Sequence, residues 1–182
     1  MKRYLSFLTV FFFALALFIL IFMGFRESYK KSYLLYGKNI EVEKELLSYK
    51  TLFKSREKSF EIEIQKIGGD DLDYFRDPPA LFFDRPQFSF SGQSATWTPS
   101  PAPEELMPLF DFILDTAVIS NFIDRPTRKI IQFYYRTTRL ILSEEGYYYA
   151  YVFTEEEDRF RRGDLYVIDL QKGIMMAIKR GR

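Results

Sequence analysis

Twenty-one consecutive residues without a charge, Leu5 to Phe25 (LSFLTVFFFALALFILIFMGF), restrict this chain more than any other feature of its sequence. A helix rises about 1.5 Å per residue, so the run spans about 31 Å, against a bilayer hydrocarbon core of about 30 Å. No polar stripe interrupts it, which argues against a buried core helix. Its exit through Met23-Gly24-Phe25-Arg26 lacks the Ala-x-Ala pattern of a signal-peptide cleavage site. The run is therefore expected to be an uncleaved transmembrane helix. Beyond it, Tyr29, Tyr33 and Tyr36 recur at helical spacing beside Lys30 and Lys31, the aromatic and cationic mix of a membrane interface. The expected organisation is a cytoplasmic tail and anchor over 1–25, a juxtamembrane segment over 26–38, and a single soluble domain over 39–182. Lys2 and Arg3 precede the run while Arg26, Lys30, Lys31 and Lys38 follow it, so the positive-inside rule is divided. A short basic tail ahead of a long apolar run ordinarily stays inside. That places the domain outside the cytoplasm of a single-pass protein of the cell membrane.

What lies beyond the anchor, roughly 155 residues, is long enough to bury one core. The chain has no Cys and no His, which removes thiolate nucleophiles, disulfides, thiolate zinc sites and the commonest general base and metal ligand. Carboxylate, Lys, Arg, Tyr, Ser and Thr chemistry remains, and no cofactor is expected. Net charge is +1, but residues 67–182 hold fourteen Lys/Arg against eighteen Asp/Glu. A mildly acidic domain does not neutralise phosphates, so nucleic acid is not an expected partner.

Hydrophobic spacing predicts an α+β fold: an N-terminal transmembrane helix, an amphipathic helix, then an antiparallel β-meander packed on one or two helices. Val42, Leu46, Tyr49 and Phe53 give the amphipathic helix over 39–58. FEIEIQKI alternates, with Phe60, Ile62 and Ile64 on one face of a strand. GGDDLDYFRDPP reads as a loop, short strands are expected around 80–90, and TWTPSPAP reads as an extended connection. Helical spacing resumes over about 105–122, with Asp111 and Asp115 interrupting an apolar surface. Five strands are then expected, KIIQFYYR, RLILS, YYYAYVFT, DLYVIDL and IMMAIK, with EEG and QKG as turns. Short connections of this kind join antiparallel strands.

Three groups of residues are candidates for chemistry or contact. Asp70, Asp71 and Asp73 put carboxylate oxygens close together in sequence, as a hard cation such as Ca²⁺ or Mg²⁺ requires, although the spacing is not that of an EF-hand. Tyr147, Tyr149 and Tyr151, with Phe153, share one strand face, which is an interaction surface where exposed and core where buried. EEEDRFRRGD, residues 155–164, is expected to be a long hairpin connection closed by cross-strand ion pairs, with Arg159, Arg161 and Arg162 as contact residues. Asp111 and Asp115 form either an acid/base pair or a polar helix edge facing Arg side chains. The function expected is a membrane-anchored, noncatalytic protein-interaction or assembly module of the cell envelope, attached through residues 5–25. The alternatives are an anchored hydrolase using carboxylates or Ser91 or Ser94 with a Lys, or an ion or ligand sensor.

Overall fold

The computed structural model describes residues 11–15, 17–19, 38–50, 59–84, 87–88, 94–115, 123–157 and 159–181. The chain divides into two compact units, Met1–Ile40 and Glu41–Arg182. In the first, 11–15 and 17–19 are helical and Phe11, Phe12, Phe13, Leu15, Leu17, Phe18 and Ile19 are exposed. The rest of the apolar run and the Tyr29/Tyr33/Tyr36 stripe lie outside the described residues. Among the described residues, no helix is long and apolar enough to cross a membrane.

The second unit is α+β, built on a six-stranded antiparallel sheet. Its elements, in chain order, are β1 Val42–Lys50, β2 Phe60–Ile67, α1 Gly69–Arg76, α2 Leu81–Asp84, β3 Gln87–Phe88, β4 Ser94–Ala95, β5 Thr98–Pro99, α3 Met107–Ile113, α4 Arg125–Ser143, β6 Tyr147–Glu156, β7 Arg159–Asp169 and β8 Ile174–Gly181. A 3₁₀ turn, Glu104–Leu106, leads into α3. The sheet order is β1-β2-β8-β7-β6-β5, and β3 and β4 pair separately.

Register assigns the two faces of the sheet. Phe60, Ile62 and Ile64 of β2 stand opposite Arg180, Ile178 and Met176 of β8. Those three in turn stand opposite Gly163, Leu165 and Val167 of β7, which oppose Phe153, Tyr151 and Tyr149 of β6. This face packs on α3 and α4 through Leu109, Phe110, Ile113, Ile131, Tyr135 and Leu142 in one buried cluster. On the other face, Tyr148 meets Phe82 and Phe83, and Phe82 stacks on Trp97 at 5.6 Å between centroids. Apolar area is thus removed from water on both faces, the main favourable term in a fold of this size.

Four expectations from spacing are corrected. The stretch 39–58 was expected to be a helix, but 42–50 is strand β1, while 51–58 lies outside the described residues. Leu47 and Tyr49 pair with Ile64 and Ile62, Lys50 pairs with Glu61 at 2.9 Å, and Lys66 with Glu43 at 3.0 Å. Pairing with a strong strand outweighs the helix propensity of Glu, Lys and Leu. GGDDLDYFRDPP is not a loop: Gly69–Arg76 is helical, with Asp70 and Asp71 in its first turn as the helix dipole favours.

The third correction concerns KIIQFYYR and RLILS, which form not two strands but one helix, α4. The Asp124 carboxylate accepts from Thr127 N–H at 3.2 Å as an N-cap, and a proline stands in the first turn. Ile131, Tyr135, Thr138 and Leu142 then follow at spacings of four, three and four as the buried face. The described C-terminal meander therefore has three strands, β6 to β8, as YYYAYVFT, DLYVIDL and IMMAIK led one to expect. The helix expected over 105–122 spans Met107–Ile113, and 116–122 lies outside the described residues.

The fourth is the β6–β7 hairpin, which is not long. Pairing runs to Glu156↔Arg159, and Glu157 follows β6 with φ 52°. At the opposite end of β7, QKG is a turn as expected, with Gly173 at φ 63°. The N–H groups of Gln171 and Lys172 donate to Asp169 Oδ1 at 3.0 and 2.9 Å and hold it closed.

Candidate functional site

The residues flagged in the sequence disperse across the fold. Tyr147 and Tyr149 are 6% and 2% exposed and belong to the core cluster. Tyr151 and Phe153 are half-buried beside them, and Phe110 of α3 meets both Tyr149 and Tyr151 edge-on. This tyrosine face is spent on packing the sheet against α3. Asp71 is buried and accepts from Glu41 N–H at 2.6 Å, whereas Asp73 is exposed and pairs with Arg76 at 2.9 Å. Asp70 is exposed in the first turn of α1. Among the described residues, no group of three or more carboxylates converges as a metal ion would need.

Arg159 and Arg161 are exposed at the hairpin tip, and Arg161 pairs with Glu156 at 2.9 Å, a cross-strand ion pair of the kind expected. Arg162, Gly163 and Asp164 have three different structural tasks. Arg162 grips Asp164 through Nε and Nη2 at 3.2 and 3.3 Å. Gly163 faces α3, where a Cβ would stand 2.5 Å from Ile113 Cγ1. Asp164, on the face away from α3, is 1% exposed. It continues a row of charges across four strands: Lys50 opposite Glu61, Glu61 opposite Lys179, Lys179 opposite Asp164. Desolvation pushes the Asp164 carboxyl up, and Arg162 and Lys179 oppose it. Desolvation pushes Glu61 up too, but its bonds to Lys50 and Lys179 prevail and hold it low. Ser91, one serine of the hydrolase alternative, lies outside the described residues.

A polar seam runs between α3 and α4. Asp111 of α3 pairs with Arg139 of α4, and Asp115 with Arg180 of β8 at 3.3 Å, so each carboxylate faces its own guanidinium, as the polar-edge reading has it. Arg180 is buried, lies over the Phe112 ring at 4.8 Å, and donates to the carbonyls of Phe112 and Asp115. It satisfies acceptors that the C-terminal turn of α3 leaves open. The seam opens as a cleft of ≈ 380 Å³ lined by Asp111, Leu114, Asp115, Gln132, Tyr135, Arg136 and Arg139. Among the described residues, the buried Tyr135 hydroxyl has no hydrogen-bond partner, and burial drives its pKa upward.

The cleft borders the outer face of α4, the feature that reading 129–143 as strands had hidden. Ile130, Phe133 and Leu140 are exposed by 45%, 62% and 62%. At spacings of three and seven they form one ridge along the helix. Lys129 and Arg136 are exposed alongside it. The sequence did carry a signal for this helix: Asp124-Arg125-Pro126-Thr127 is a capped, proline-led helix start. Comparison with known proteins returns no matching family model, no similar curated protein and no similar solved structure.

Proposed function

We propose that this chain is a single-pass membrane protein, anchored through residues 5–25, whose α+β unit is a noncatalytic protein-interaction or assembly module on the extracytoplasmic side of the cell envelope. The observation that carries the reading is the helical stretch within the uncharged run. Phe11, Phe12, Phe13, Leu15, Leu17, Phe18 and Ile19 are all exposed around it. A helix apolar on every side is stable where lipid covers it, and its backbone groups are satisfied within the helix. The commitment of Asp111 and Asp115 to Arg139 and Arg180 supports a noncatalytic unit. The β6–β7 tip, with Arg159 and Arg161 exposed, is the proposed protein contact.

The test is affinity recovery of the full chain from detergent-solubilised native membranes. A defined stoichiometric complex, weakened when Arg159 and Arg161 are replaced by Ala, is the expected result. Recovery of the chain alone and monomeric sinks the assembly reading.

A further inference from the structure

We infer that the outer face of α4 is a docking surface for an anionic phospholipid bilayer, with lipid phosphate received at Arg136 and the mouth of the α3/α4 cleft. Three observations converge there. Ile130, Phe133 and Leu140 form an exposed apolar ridge on an otherwise folded helix. The nineteen residues of α4 contain Arg125, Arg128, Lys129, Arg136 and Arg139 and no acid. Acids stand only beyond its ends, Asp124 as N-cap and Glu144 and Glu145 after it. The third is the cleft, where Asp111 and Asp115 are matched by Arg139 and Arg180. Among the described residues, Arg136 at its edge, beside Gln132, is thus the cation left over, and the Tyr135 hydroxyl of the lining is unpartnered.

An apolar ridge flanked by cations is the pattern of a helix lying in the plane of a membrane interface. The aromatic and aliphatic side chains enter the headgroup boundary, and Lys and Arg extend toward phosphate. The sign of the charge selects the occupant. Residues 67–182 as a whole carry more acid than base, so a cationic face on such a unit answers an anionic surface. A single ridge of this kind gives weak and reversible binding. The inference rests on the anchor reading for its tether: a chain already held in the bilayer supplies the high effective concentration at which weak contact suffices.

The experiment uses the full chain carrying Phe133→Trp, one chain per lipid nanodisc, in phosphatidylcholine alone or with about one-third phosphatidylglycerol. Trp97, the only native tryptophan, is buried, so the added emission reports position 133. In the anionic discs the emission is expected to shift to the blue and to be quenched by brominated lipid. Both effects should fade in high salt. Lys129→Glu with Arg136→Glu is expected to lower the docked fraction ratio at least tenfold, since each cation near an anionic surface contributes about fivefold. Both substitutions are at exposed positions, and unchanged near-ultraviolet circular dichroism confirms that each variant is folded. Identical emission in neutral and anionic discs overturns the inference. So does a blue shift that follows the number of chains per disc rather than lipid charge, because a second copy then covers α4. Should residues 5–25 fail to anchor the chain, flotation with externally added anionic vesicles still tests α4 on its own.

Discussion

Gly163 and its neighbours show how packing gives adjacent residues of one strand opposite tasks. With a Cβ at residue 163, Ile113 Cγ1 and Cδ1 would lie 2.5 and 2.7 Å away, and Ile113 is fully buried. Gly163→Ala is therefore expected to destabilise the unit by about 1–3 kcal/mol, read as a lower urea midpoint with unchanged slope. Asp164, one residue on, is turned to the opposite face and held by Arg162. Its burial raises the folded-state pKa above the ordinary 3.8, so the folded chain holds this proton more tightly than the unfolded one. The associated stability is complete below the unfolded value and is lost as pH rises through the folded value. Glu61 has the opposite sign: its lowered pKa contributes stability above 4.5 that is lost as pH falls through the folded value. Unfolding free energies of wild type and Asp164→Asn, measured from about pH 3 to about pH 7, should therefore diverge, wild type losing ground relative to the variant as pH rises. A difference that stays constant across the series contradicts this assignment.

At the scale of elements, what was legible in the sequence followed from how uniquely a spacing names a period. Phe60, Ile62 and Ile64 alternate without exception, and β2 stands where that alternation placed it. The same holds for β6, β7 and β8, although β6 and β7 run further into the charged hairpin than alternation alone indicated. β1 was hidden because Val42, Leu46 and Tyr49 satisfy a helical period, while register shifts at Val42/Lys44 and Glu45/Leu47 break the strand period. α4 was hidden by its Ile, Phe and Tyr residues, types favoured in strands, and with it went the candidate surface, which exists only in the helical period. Arg180 was likewise invisible, since its partners at Phe112 and Asp115 are distant in sequence. Arg180→Met should cost about 2–4 kcal/mol, because it leaves buried acceptors at the end of α3 unpaired. Arg180→Lys should restore only part of that loss, a single ammonium being unable to serve the same spread of acceptors, and thermal unfolding compares the three proteins. Equal stability of Arg180→Met and wild type would mean that the end of α3 is held by something other than this guanidinium.

At the scale of the whole molecule, the chain joins a sharply apolar first unit to a second unit whose polar groups are largely occupied with one another. The row from Lys50 to Asp164, the Asp111–Arg139 and Asp115–Arg180 pairs and the tyrosine face all serve the fold. Among the described residues, the second unit presents outward the β6–β7 tip and the outer face of α4, both suited to contact. That account stands on residues 5–25 being in a bilayer, and alkaline carbonate extraction of membranes from cells producing the full chain tests it most directly. The expected result is a chain that stays with the membrane pellet after carbonate strips peripheral proteins and is released by detergent. Release of the chain into the carbonate supernatant would contradict the anchor and the function built on it.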